Sequence, residues 1–181
     1  MKKIILALVA LFMATALNVV NAQTKEEMKA SQERMEKLAN LCQKEPKTTG
    51  VGEVDSYVKN VHGAAILSMA TTEQLHDLYY RQIGETKDGV QDVTIKKPTV
   101  EELTALSVTI AAQAVTIKDA AASADKAITA SKSQKNPMKV AKITTALAFT
   151  KNAYPVLLEE SVAQTKAIAQ MIETAKTAKN L

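Results

Sequence analysis

Leu103, Leu106, Ile110, Ala114, Ile117, Ala121, Ala124 and Ile128 follow one another at intervals of three and four residues. That spacing places apolar side chains on a single face only if the backbone is an α-helix; a half-buried strand would alternate with period two. A helix this long cannot bury its stripe alone and needs other helices against it. Thr99 and Glu102 stand just before the stripe in the arrangement of a capping box, in which hydroxyl and carboxylate satisfy each other's backbone amides. The predicted helix therefore opens at Thr99 and extends to about Ser133.

The rest of the chain repeats the theme. Thr24 and Glu27 form a second capping box, after which Met28, Met35, Leu38 and Cys42 share a stripe that Pro46 ends. After a linker at 47–52, Val54, Tyr57, Val58, Val61, Ala65 and Met69 mark another helix. Thr71 with Gln74 reads as a further capping box, which predicts a break near Ala70 before Leu75, Leu78, Tyr79 and Ile83 continue to Gly84. Residues 85–98 are irregular, with Val90, Val93 and Ile95 as a short extended piece at most. Asn136-Pro137 is a cap followed by proline at the first helical position, where its missing amide costs nothing. The final helix points Val140, Ile143, Leu147, Tyr154, Leu158, Val162, Ile168 and Ile172 inward, with Pro155 predicted to kink it at the carbonyl of Lys151. The fold expected is all-α: an elongated up-down bundle of about four long helices, the second broken near Ala70 and the last kinked at Pro155.

The N-terminus carries an address. Lys2 and Lys3 precede an uncharged, mostly apolar run from Ile4 to Leu17, and Val20-Asn21-Ala22 supplies small or β-branched residues before Gln23. This is the build of a cleaved Sec signal peptide, because the run is shorter than the roughly 20 residues a bilayer span requires. Residues 1–22 are expected to be removed after Ala22, leaving 23–181 as a single helical domain that is periplasmic or secreted in a bacterial cell. Without a cysteine at the cleavage point, a lipid anchor is not expected. No second apolar run of spanning length is expected either, which predicts a soluble mature protein.

Composition narrows the chemistry. The chain has no tryptophan, two histidines and one cysteine, which excludes a disulfide scaffold and leaves little material for a metal centre. There is no G-x-S-x-G, no phosphate-loop motif and no C-x-x-C-H haem attachment. Cys42 lies on an apolar stripe, as a buried structural thiol does. Glu73 and His76 have the Glu-x-x-His spacing of di-iron bundles, but the second pair such sites need is absent, since Lys59 precedes His62. The two residues stand as the alternative reading, a metal- or small-ligand-binding bundle, beside an expectation of no cofactor and no enzymatic activity. The formal net charge of +4 includes the leader lysines and is too small for a nucleic-acid face.

One stretch breaks a local rule. Between Asp125 and Glu159 lie six lysines and no acid: Lys126, Lys132, Lys135, Lys139, Lys142 and Lys151. Lys139 and Lys142 fall near the start of a helix, where the macrodipole disfavours cations. Lys135, Lys139 and Lys142 around a helix N-terminus with free amides make a candidate site for anions or for a partner. The function expected is a non-enzymatic binding protein of the cell envelope, adaptor or chaperone-like, with an envelope protein or an anionic surface as partner. Exposed faces on helices of this length are also compatible with a dimer.

Overall fold

The computed structural model describes residues 25–178, and the chain there is an all-α helical bundle. Helix α1 spans Lys25–Cys42, α2 Gly52–Ile83, α3 Val100–Lys132 and α4 Pro137–Ala178. Among the described residues no strand forms; the 84–99 connection holds a single antiparallel bridge between Glu85 and Gln91. The expected signal peptide, residues 1–22, and the expected Thr24 cap fall outside the described residues.

Each helix packs through a seam whose positions alternate by three and four. In α1 the seam is Met28, Ser31, Met35, Leu38 and Cys42; in α2 it runs Val54, Val58, Val61, Ala65, Ser68, Thr72, Leu75, Tyr79. In α3 it is Leu103, Leu106, Ile110, Gln113, Ile117, Ala120, Ala124, Ala127. In α4 it follows Ile143, Ala146, Thr150, Ala153, Leu157, Glu160, Gln164, Ala167 and Met171. This is the 3.5-residue period at which helices interlock side by side.

The chain folds into two compact units, each using part of every helix. One comprises 33–69 with 113–160 and has a core around Leu38, Val54, Val61, Ile117, Ile143 and Leu157. The other comprises the chain up to Gln32, 70–112 and the chain from Ser161, with a core around Met28, Leu75, Leu103, Ile110, Ile168 and Met171. In the latter, Gln164 donates to Thr72 and Gln82 donates to the Met171 carbonyl, so the two helices advance together. Parallel second and fourth helices are what an up-down order requires.

Several expectations need correction. Helix α2 is continuous through Ala70, and Thr71 and Thr72 are buried within it. Thr71, the expected cap, therefore lies inside the helix, and the neighbouring Thr72 Oγ1 accepts from the Gln164 side-chain amide at 2.8 Å. Ile128, Val140, Leu158 and Val162 are exposed; the seam passes beside them through Ala127, Ile143, Glu160 and Gln164. The expectation of no second spanning-length apolar run also fails, since α3 is long and apolar enough to cross a membrane by length and composition. Core helices pass the same test. One third of that apolar window is buried, and α3 also carries Lys118, Asp119, Asp125 and Lys126.

Two ends match expectation. The Thr99 amide donates to Glu102 Oε2 at 2.7 Å and the Glu102 amide donates to Thr99 Oγ1 at 3.1 Å, a complete capping box. Asn136 caps α4, with Pro137 as its first residue.

Candidate functional site

The turn between α3 and α4 is tightly built. Ser131 and Ser133 return their hydroxyls to the Ile128 and Ala130 carbonyls, and the Gln134 amide closes onto the Ser131 carbonyl at 3.2 Å. Asn136 Oδ1 then accepts from the amides of Met138 at 3.0 Å and Lys139 at 3.4 Å, while the Asn136 carbonyl accepts from Val140. Pro137 has no amide. The first turn of α4 therefore has its donors occupied, and the expected set of free amides is absent. What remains at this end is the charge of the lysines.

Lys135 and Lys142 are exposed, and none of the six lysines of the stretch forms an ion pair among the described residues. Lys139 is half-buried and lies over the 49–51 turn, its Nζ 3.4 Å from the Gly50 carbonyl. That turn is itself held firmly. The Asp55 carboxylate accepts from the Thr49 amide and hydroxyl, each at 2.7 Å, and from the Gly50 amide at 3.1 Å. Burial opposes ionisation of Asp55, but these hydrogen bonds outweigh it and hold the carboxyl below its ordinary range. Gly50 adopts φ of +76°, a conformation that costs a side-chain-bearing residue energy. Beside the turn, Val51, Glu53, Asp125, Lys126, Ser133 and Gln134 line an open groove of about 650 Å³.

Within this basic end stands a feature the sequence reading missed. Met138 is 75% exposed and Val140 41% exposed, so apolar side chains project from among the lysines. The signal was present as Met138 between Pro137 and Lys139. Sequence alone did not separate a solvent-facing methionine from a core one.

The alternative pair is placed apart in environment. His76 is buried against the core of its unit, whereas Glu73 is exposed and lines an open groove of about 520 Å³ with Asp77 and Glu102. Burial, and secondarily the charge of Lys87, pull the His76 pKa down to about 4, so the ring is neutral at pH 7. Its Nε2 is enclosed without a hydrogen-bond partner. Asp77 and Glu102 are both engaged by Arg81. Among the described residues no group of three or more His, Cys, Asp or Glu side chains is arranged to hold a metal ion. Cys42 packs half-buried against the core, and burial pushes its thiol above the usual pKa, away from a nucleophile's.

Sequence reasoning also missed an internal ion pair. Arg34 Nε lies 2.7 Å from Glu160 Oε2, and the Glu160 side chain is fully buried. Glu160 follows Leu157 by three and precedes Gln164 by four, so the seam spacing marks it as inward-facing.

Comparison of the chain with protein-family models, with curated proteins and with solved structures finds no match.

Proposed function

We propose that this chain is a non-enzymatic binding protein of the bacterial cell envelope, exported by residues 1–22 and acting through the basic turn at Lys135, Lys139 and Lys142. One observation carries the reading: six lysines occur without an intervening acid, and none is neutralised by an ion pair among the described residues. A solvated lysine ordinarily needs no explanation. A run of unpaired ones near a helix start, against the macrodipole, is a cost that natural sequences tend to accept where a surface has another task. The partner supported is an anionic surface of the envelope.

The test is crosslinking in the cell of origin, followed by capture and mass spectrometry of both the partner and the chain's own N-terminus. The expected result is recovery with envelope material and a chain beginning at Gln23. Reversing the three charges, Lys135→Glu with Lys139→Glu and Lys142→Glu, is expected to lose that association while leaving the helical circular dichroism unchanged. Association that survives the triple reversal would move the binding surface elsewhere on the molecule.

A further inference from the structure

We infer that the anionic surface is a phospholipid bilayer, and that Met138 enters it as an apolar anchor while Lys135, Lys139 and Lys142 meet the headgroup phosphates. This inference rests on the reading of the lysine turn given above and specifies its partner. Two structural facts select a bilayer over a discrete phosphate. A bound phosphate draws on free backbone amides, and here Asn136 occupies those of Met138 and Lys139, with Pro137 offering none. The site thus lacks a fixed cradle and offers the positive charge of Lys135, Lys139 and Lys142, with Glu53 and Asp125 confined to the groove beside the turn. A single anion also has no use for an exposed methionine, yet Met138 is 75% exposed in the middle of the lysines.

Diffuse cationic charge around a projecting apolar side chain is the combination that binds membrane interfaces. The lysines contribute the attraction to anionic lipid, and the apolar side chain gains by leaving water. The turn is suited to this by rigidity. Pro137 fixes its backbone and Asn136 holds the first amides, so little backbone ordering remains to be done on contact. The 84–99 connection provides a contrast. Val93 there is fully exposed and Val90 largely so, but Asp88 and Asp92 stand among Lys87, Lys96 and Lys97, which weakens any attraction to an anionic surface.

The chain contains no tryptophan, so one introduced indole reports on one position. Protein purified from the envelope fraction, carrying Met138→Trp, is titrated with vesicles of phosphatidylglycerol and phosphatidylcholine, with bromine-labelled acyl chains as quencher; Val93→Trp is the companion probe. The expected result is a blue shift and bromine quenching of the indole at 138 on phosphatidylglycerol vesicles, none on pure phosphatidylcholine, and none at 93. Met138→Ser is expected to weaken vesicle binding roughly tenfold, the loss of one buried methionine. Vesicle binding that depends on the lysines but leaves the indole at 138 in water would overturn the anchor and keep the basic surface. Quenching at 93 in place of 138 would overturn the assignment of the membrane-facing end. Absence of any binding to phosphatidylglycerol vesicles by unsubstituted protein, together with an unaffected envelope association, would overturn the bilayer and point to an acidic protein partner.

Discussion

His76 shows what a single buried titratable group does to a bundle. Its side chain is buried, on the helix that also carries the core residues Leu75 and Leu78, and its Nε2 meets no partner. Charging it there means placing a cation out of water with Lys87 already nearby, which is why its pKa falls from 6.5 to about 4. The sign of the pH dependence follows. Between those two values the unfolded chain binds the proton and the folded chain does not, so stability is full above about pH 6.5 and declines as the pH drops toward 4. The loss by pH 4.5 is on the order of 2 kcal/mol. Asp55, Glu85 and Glu102 have carboxyl groups held below their ordinary range, so their contributions disappear only at lower pH. The window from pH 6.5 to 4.5 therefore belongs to His76. Urea unfolding across that window is expected to show the decline in the unsubstituted chain and a flatter profile in His76→Leu; equal slopes in both would assign the effect to another group.

At the scale of the helix, the polar residues in the seams decide which face turns inward. Glu160 occupies a seam position of α4 with no exposure of its side chain, and it is stabilised there by the Arg34 guanidinium at 2.7 Å. Deleting one partner of such a pair leaves a charge in the interior, a larger penalty than the pair's own net contribution. Arg34→Ala is thus expected to cost about 2–3 kcal/mol in urea unfolding, and Arg34→Met combined with Glu160→Met to recover most of it. A cost under about 0.5 kcal/mol for Arg34→Ala would be that of a surface pair and would sink the argument. The same seam residues explain what could be read in advance. Helix ends fixed by local chemistry were legible: Thr99 with Glu102, and Asn136 with Pro137, because each is completed within three residues of itself. Thr71 with Gln74 has the same spacing, but its neighbour Thr72 is committed to Gln164, 92 residues away, and no local rule contains that partner. Register was misread at Leu158 and Val162 for the same reason, since their apolar character pointed inward while Glu160 and Gln164 held the seam. The lysine run was visible as letters. That the cap residue Asn136 would also consume the amides needed for a discrete anion site follows only when cap and site are considered together.

Over the whole molecule, the two units solve the packing problem with different side chains. The core of the unit formed by 33–69 and 113–160 includes six buried alanines, Ala64, Ala65, Ala120, Ala127, Ala146 and Ala153. The core of the other includes Ala167 alone, alongside Met28, Leu75, Leu103, Ile110, Ile168 and Met171. Alanine lets helix backbones approach closely and favours the helix itself, but each one removes little apolar area from water. A buried leucine, isoleucine or methionine contributes roughly 1.5–3 kcal/mol by area, several times an alanine's share. Among the described residues, the unit richer in leucine, isoleucine and methionine also has four ion pairs, Lys25 with Glu85, Arg81 with both Asp77 and Glu102, and Lys166 with Glu27. These are partly exposed and add little beside the core. If local opening is governed by apolar area, amides in 100–112 and 164–172 should exchange more slowly than those in 117–130 and 141–153. Hydrogen exchange followed by mass spectrometry on the unsubstituted chain at pH 7 reads this directly, since peptides from both segments of α3 and both segments of α4 supply matched comparisons within one helix. Slower exchange in the alanine-rich segments would mean that close backbone approach and helix propensity outweigh buried area in this bundle. In that case Ala153→Leu, which forces a large side chain into a fully buried site, becomes the more damaging class of substitution than Leu103→Ala.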